Sequence, residues 1–225
     1  MEQIFQIMAL QISVLILINF IAFLLFEIVP IILKKGNTIS KNFNDLLSFQ
    51  FGMSIFSIIF GTIILVAFYK FGFVTEIINI KNLPILLQVI IVYLTAEFFI
   101  YISHLSAHKF RIPLVSKSHY FHHSVTDDVQ WVNSKKEHPF IIFLFILVFN
   151  FVFYAIFATD TIVKILCVNI FIFLQALSHF RIPIKIKYLD KIFLFPHDHH
   201  KHHQNRTGPY GVSLIIFDTI FDTKK

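Results

Sequence analysis

All twelve histidines of the chain lie after residue 103, and most of them fall into three short motifs. The motifs read HLSAH (104–108), HYFHH (119–123) and HHKHH (199–203). On a helix, residues three and four apart lie on the same face, so each motif can present two or three imidazoles to one point. We therefore interpret the following histidines as metal ligands: His104, His108, His119, His122, His123, His199, His202 and His203.

The number and type of these ligands indicate which metal they would bind. One histidine pair supplies only part of the ligand set of an ion, whereas eight imidazoles suffice for two ions in a shared site. Imidazoles without thiolates suit iron, copper or zinc. Zinc has no redox chemistry and typically takes four ligands, so the surplus favours a two-iron site. The only cysteine, Cys167, excludes disulfides, iron–sulfur clusters and cysteine-ligated zinc within one chain.

Five further polar residues lie near the motifs in the sequence. His138 and His179 flank apolar segments, where each could be an additional ligand or an interfacial histidine. Glu97 lies seven residues before the first motif on the same helical stripe. It could orient a ligand imidazole or bond to another helix. His197 and His200 do not lie on the helical face that carries the other histidines of the third motif. We therefore expect their side chains to contact the ligands without binding the metal, or to face solvent.

Long apolar segments must position these motifs. The chain is 56% hydrophobic, contains thirty phenylalanines and has a mean hydropathy of +0.75, which lies outside the range of soluble domains. A helix needs about 20 apolar residues to span a bilayer, and the candidate segments are 4–33, 51–69, 83–101, 140–157 and 162–177. In the first, Glu27 and Pro30 predict a tilt, a kink or an early exit. We predict an all-α, multi-pass integral membrane protein with four to five transmembrane helices.

The order of the segments places every histidine motif on one side of the membrane. The third segment ends just before His104, and the fourth and fifth form a hairpin that returns the chain to the same side. Of the nineteen Lys and Arg residues, only Lys70, Lys81 and Lys164 fall on the opposite side. By the positive-inside rule, the histidine side is cytoplasmic. The net charge of +6 then suits anionic headgroups and requires no nucleic acid.

The order of the motifs resembles the fatty acid hydroxylase/sterol desaturase superfamily of integral-membrane oxygenases. HxxxH is followed by HxxHH and Ser (HYFHHS), by His-Pro (EHPF), by a histidine before RIP (SHFRIP) and by a second HxxHH. The closing segment QNRTGPYGVSLIIFDTIFDT is also similar, with Pro209, Phe217, Thr219 and Asp222 in place of the usual Asn, Trp, Arg and Gly. The resemblance covers about residues 84–223, and the departures concern the substrate subfamily more than the metal.

This resemblance implies a cytosol-facing di-iron centre that activates O2 and hydroxylates or desaturates a C–H bond of a sterol, fatty acyl or related lipid. The ligands would be the eight histidines given above and His179, with His138 at the His-Pro position. Zinc could replace iron during preparation. Because the chain has no cysteine cluster and no glycine-rich dinucleotide motif, electrons would come from an external ferredoxin, cytochrome or flavin reductase. Residues 1–83 would form membrane-anchor helices and 84–225 the catalytic region of a single integrated domain.

Three other interpretations stay open on the sequence. A metal-transporting or metal-buffering membrane protein could collect ions with the tract 197–203, although transport sites normally lie near the bilayer midplane. A bis-histidine haem protein would place single axial ligands within paired spans. A catalytically inactive family member would keep the same motifs. The sequence does not identify the lipid, the choice between hydroxylation and desaturation, or the oligomeric state.

Overall fold

The computed structural model describes residues 17–33 except 19, residues 60–124 except 62, 65, 69 and 111, residues 126, 129 and 131, and residues 138–224. These residues are mostly helical. Residues 60–70 are helical wherever they are described, and a 3₁₀ turn spans Leu189–Lys191. The helices are α1 (Phe20–Ile32), α2 (Ile85–Lys109), α3 (Pro113–His122), α4 (Pro139–Ile156), α5 (Thr161–Ser178), α6 (Pro196–Asn205) and α7 (Ile216–Ile220).

Three of these helices are long and apolar enough to cross a membrane, namely α2, α4 and α5. They confirm the predicted third, fourth and fifth segments and the helical fold. Of the first segment, 4–33, the shorter apolar helix α1 is described, and most of the second segment, 51–69, lies outside the described residues. The 25 residues of α2 extend over about 37 Å at 1.5 Å per residue, which exceeds the roughly 30 Å of a bilayer core. The last turns of α2 can therefore carry polar residues beyond that core.

Prolines mark the beginnings of the helices that carry the site. Pro84 caps α2, and Pro113, Pro139 and Pro196 occupy the first turns of α3, α4 and α6. The first turn tolerates proline because its N–H groups have no partner within the helix. In α1, Pro30 follows a π-helical segment, Leu24–Ile28, so the helix is irregular at the place where the sequence predicted a disturbance.

The apolar core lies between α2, α4 and α5. Val92, Val152, Val163 and Cys167 are fully buried there, one or more from each helix. A second cluster centres on the fully buried Trp131, which packs with Phe23 and Phe26 of α1 and with Ala176 of α5. Burial of these side chains holds α5 in place along its length.

The ends of α2 and α5 opposite the histidines are joined by polar contacts. The buried amide of Gln88 donates to Leu83 O (2.9 Å) and to Asp160 Oδ2 (3.1 Å), and Asp160 N donates to Gln88 Oε1 (3.3 Å). Two short strands, Ile78–Asn79 (β1) and Phe157–Ala158 (β2), pair in parallel beside this contact. This small sheet was not predicted. Together these contacts position the α4–α5 hairpin, whose other end carries His179.

Candidate metal centre

Nine histidines converge in two adjacent groups, and within each group the candidate ligand atoms all lie within 4.8 Å of one another. We call them the five-histidine group and the four-histidine group. The five-histidine group contains His104, His108, His119, His123 and His202. The four-histidine group contains His122, His179, His199 and His203. These are His179 and every motif histidine except His200.

Each HxxHH motif contributes to both groups. We predicted that a motif would present its imidazoles to one point, and the structure differs in this respect. At 3.6 residues per turn, position i+4 lies about 40° to one side of position i, and position i+3 lies about 60° to the other. The first and last histidines of a motif therefore share a group, and the middle one joins the neighbouring group. His119 and His123 lie in the five-histidine group, and His122 lies in the four-histidine group. His199 and His203 lie in the four-histidine group, and His202 lies in the five-histidine group.

The Nε2 atoms of the five-histidine group are spaced as ligands of one ion. His119 Nε2 lies 2.9 Å from His104 Nε2, 2.9 Å from His108 Nε2 and 2.8 Å from His123 Nε2. His104 Nε2 lies 3.2 Å from the Nε2 atoms of His108 and His202. With metal–nitrogen bonds of about 2.1 Å, adjacent ligands lie about 3.0 Å apart in an octahedron and about 3.4 Å apart in a tetrahedron. The spacing fits an ion with five or six ligands better than tetrahedral zinc.

The four-histidine group has similar spacing. His179 Nε2 lies 3.2 Å from His122 Nε2 and 2.9 Å from His199 Nε2, which lies 3.2 Å from His203 Nε2. The two groups are in contact, since the ring centroids of His123 and His203 are 4.5 Å apart. The arrangement can therefore hold two neighbouring ions.

Backbone carbonyls determine which ring nitrogen of several ligands is free. A carbonyl only accepts, so a ring Nδ1 that contacts one must carry the hydrogen, and in a neutral ring the Nε2 lone pair is then available. Such contacts also fix the rotation of the ring, as is usual for metal-bound histidine. The donor–acceptor pairs are His104 Nδ1 to Tyr210 O (2.7 Å), His179 Nδ1 to Gln175 O (2.8 Å) and His202 Nδ1 to Thr207 O.

Burial keeps these imidazoles neutral. It lowers the pKa of His119, His122 and His199 well below the usual value, and the charges of neighbouring imidazoles lower it further. Burial also lowers the pKa of His202 to about 4. His104 and His202 both carry their hydrogen on Nδ1, so their Nε2 lone pairs face each other at 3.2 Å. A cation between the two atoms would stabilise this contact. This donor set fits divalent iron.

A small cavity of about 40 Å³ adjoins both groups. Histidines of both groups line one side of it. Its other walls are mainly apolar, with Ile141, Leu144 and Phe145 of α4 facing it together with Val115 and Val212. Since one water needs about 10–15 Å³ of such space, the cavity can accommodate O2 or a short part of a hydrocarbon chain beside the two groups.

The structure places the remaining candidates outside both groups. His138 is exposed and caps α4, where its Nδ1 accepts from Phe140 N (3.2 Å). The His197 ring pairs with the adjacent Asp198 (3.0 Å), and His200 belongs to neither group.

The hydrogen-bond partners of Glu97 are not ligand imidazoles, in contrast to the first of the two interpretations of this residue. Its carboxylate is fully buried and accepts from Ser213 Oγ (2.7 Å) and from Leu214 N (3.3 Å). It therefore holds the backbone that follows the third motif. Glu97 therefore acts as a buried hydrogen-bond partner, the second interpretation of this residue, but its partner lies in a loop segment and not in a helix.

Several residues that support the histidines were not predicted. Tyr210, Thr207 and Gln175 act through backbone carbonyls, which every residue possesses, so no side-chain pattern could have identified them. Asp218 is also new. Its carboxylate is fully buried beside Tyr210 and Gly211. The sequence signals were a lone acidic residue among apolar neighbours, IIFDTIF, and its place in the closing segment that resembles the superfamily.

The positions of His197 and His200 lead to a first prediction. We expect His197→Ala and His200→Ala to retain the metal content of the unmodified protein, because neither ring belongs to a ligand group. Metal per chain, measured by inductively coupled plasma mass spectrometry, checks this. Loss of metal in either variant would show that the ligand set differs from the two groups.

Comparison with known proteins gives one match. A family model described as fatty acid hydroxylase matches residues 89–223, a range that contains both histidine groups, Glu97 and Asp218. No curated protein and no solved structure matches the chain.

Proposed function

The chain belongs to the fatty acid hydroxylase family, and from this membership and the paired histidine groups we propose that it oxidises a C–H bond of a membrane lipid with O2 at a centre of two iron ions. One observation carries the proposal: nine imidazoles converge in two adjacent groups. Such a set is large enough for two ions with open positions for a reactant, whereas a closed structural zinc site needs only four ligands. The family places the chain among oxidoreductases.

The proposed ligands are the five histidines of one group and the four of the other. When bound, the two iron ions supply the activation of O2 and the oxidation of the C–H bond. The contacts of His104 and His179 with backbone carbonyls hold each ring in one tautomer. The protein thereby positions the ligands before any metal binds, which lowers the cost of assembling the centre.

The protein also keeps water away from the reacting atoms. Eight of the nine histidines are buried, and His108 is half-buried. A dry site prevents side reactions of the oxidant. His108 is thus the ligand nearest to the surface.

The substrate is proposed to be a lipid because the cavity opens onto apolar walls. Ile141, Leu144 and Phe145 belong to α4, one of the helices long and apolar enough to cross a membrane. A hydrocarbon chain alongside α4 would reach the histidines without leaving an apolar environment. Both hydroxylation and desaturation of such a chain use the same placement of one carbon beside the metal ions.

Two further parts of the proposal concern electrons and orientation. Hydroxylation consumes one O2, two electrons and two protons and yields the alcohol and water, so an external carrier such as a ferredoxin, a cytochrome or a flavin reductase must supply the electrons. We propose that the histidine face is cytoplasmic, on the basis of the positive-inside bias of the sequence.

Oxygen-isotope labelling tests this function. Purified protein would be incubated with extracted membrane lipids, an artificial reductant and ¹⁸O2, and the lipids analysed by mass spectrometry. We expect a lipid that has gained one ¹⁸O atom or lost two hydrogens, and no such product from His122→Ala. A product that forms equally with the variant, or no product from either protein, would contradict the proposal.

A second prediction concerns the cavity wall. We expect Leu144→Trp to abolish lipid oxidation while leaving the metal content unchanged, because the indole would fill a space of about 40 Å³ beside the histidines without replacing a ligand. The same substitution at Leu147, one turn along α4 and not among the lining residues, is the matched control. Product formation and metal per chain are measured on both variants. Full turnover by Leu144→Trp would show that the substrate does not use this cavity.

A further inference from the structure

The carboxylate of Asp218 is the centre of a hydrogen-bond cluster behind the five-histidine group. Asp218 is fully buried in α7. Its Oδ1 accepts from Tyr210 N (2.7 Å) and from Thr223 Oγ1 (2.7 Å), and its Oδ2 accepts from Gly211 N (2.7 Å). Three donors directed at one side chain are best satisfied by a carboxylate, which offers only acceptors.

Tyr210 connects this cluster to a proposed ligand. Its N–H is held by Asp218, and its carbonyl accepts from His104 Nδ1 at 2.7 Å. The opposite side of the His104 ring belongs to the five-histidine group, where its Nε2 lies 2.9 Å from His119 Nε2. One residue of backbone therefore separates the Asp218 carboxylate from the ligand imidazole.

The turn around Tyr210 has little freedom to adjust. A Cβ atom on Gly211 would lie 1.8 Å from Leu214 O and 3.0 Å from Asp218 Oδ2, so only glycine permits this close approach. Three residues further along, Glu97 holds Leu214 N and the Ser213 hydroxyl. Asp218 therefore fixes the Tyr210 end of this segment, and Glu97 fixes the Leu214 end. The position of the Tyr210 carbonyl depends on the contacts at its own end, those of Asp218.

We propose that Asp218 is a positioning residue of the five-histidine group, which fixes the Tyr210 carbonyl and through it the tautomer and rotation of the His104 ring. The inference rests on the proposed function in one respect, that this group binds a metal ion. Removal of such an outer partner of a ligand typically weakens metal binding by about 10- to 100-fold. The four-histidine group has no contact with Tyr210 among the described hydrogen bonds, so its affinity is expected to stay unchanged.

Asp218→Asn is the most specific variant. It keeps the size of the side chain, but its NH2 group would face the N–H of Tyr210 or of Gly211, so one backbone donor loses its acceptor. Thr219→Val in the same short helix is the matched control, because Thr219 is exposed and, among the described hydrogen bonds, its hydroxyl donates only to Ile215 O, at the cap of that helix.

Titration of the metal-free, full-length protein with Co²⁺ tests the proposal, since the absorption spectrum of Co²⁺ distinguishes a site of five or six ligands from a four-ligand site. We expect two sites in the unmodified protein and in Thr219→Val. In Asp218→Asn, the affinity of the five-histidine site alone should fall by about 10- to 100-fold, with the His104→Ala variant losing the same site.

The outcomes separate this inference from the proposed function. Two sites with unchanged affinities in Asp218→Asn would overturn the role of Asp218 and leave the proposed function intact. Loss of both sites together in Asp218→Asn would also overturn it, because the effect would then be general loss of structure. An unmodified protein that binds no Co²⁺ in the histidine groups would contradict the proposed function itself, and the inference with it.

Discussion

Replacing His202 by alanine is expected to abolish lipid oxidation and to leave the chain with at most one iron ion. His202 is fully buried, and its Nε2 lies 3.2 Å from His104 Nε2 in the five-histidine group. Its ring also lies 4.7 Å from the His123 ring between centroids. Removing it deletes one ligand and leaves a polar void beside the others, so the remaining four rings would hold an ion less tightly and with a different geometry.

The control for this variant is His200→Ala, which makes the same chemical change two residues away on α6. Iron per chain and product formation are measured for both proteins prepared in the same way. We expect His200→Ala to match the unmodified protein. If His202→Ala keeps two irons and full turnover, the five-histidine group is not a metal site.

The second large effect is expected at Glu97, and it concerns stability. In Glu97→Ala, Leu214 N and the Ser213 hydroxyl lose their buried acceptor, and each unsatisfied group costs about 1–3 kcal/mol. We expect the free energy of unfolding to fall by about 2–4 kcal/mol, less than the full sum of the two costs, because the Ser213 hydroxyl can still pair with the Tyr93 hydroxyl. For a chain of this size this corresponds to a thermal midpoint lower by roughly 4–16 °C.

Glu97→Gln distinguishes loss of the contacts from loss of the charge. The amide can accept from Leu214 N and donate to Ser213 Oγ, which is also within 2.5 Å of the Tyr93 hydroxyl. We therefore expect a much smaller decrease for this variant. Thermal unfolding of the detergent-purified proteins is the measurement. Equal midpoints for Glu97→Ala and the unmodified protein would show that the carboxylate does not hold this segment.

The helices and the histidines that meet could be predicted from the sequence because each leaves a local pattern. Apolar runs of sufficient length indicated α2, α4 and α5, and the three- and four-residue spacings indicated which rings share a helical face. The order of the segments placed His179 on the side of the motifs, and the resemblance of the SHFRIP segment implied that it is a ligand. The other inferences need only the geometry of one helix and the order of the segments.

The division of the rings between two groups and the support behind them could not be predicted in this way. Helix geometry separates the middle histidine of each HxxHH motif from the other two. The group that it joins depends on the contact between the rings of α3 and α6, such as His123 and His203 with centroids 4.5 Å apart, which is a tertiary feature. The carbonyls of Tyr210 and Thr207 carry no signature of their own. Glu97 was singled out correctly as a buried carboxylate, but its partners, Ser213 and Leu214, are more than a hundred residues away in the chain.

The most direct test of the two-ion centre is the iron content per chain, measured by mass spectrometry on protein purified without a histidine tag from iron-replete cells. His104→Ala and His122→Ala, one from each group, would be measured beside the unmodified protein. We predict about two irons per chain in the unmodified protein and a clear loss in each variant. Metal that persists in both variants and disappears only when residues 197–203 are removed would contradict the account, because the ions would then be bound by the histidine tract alone.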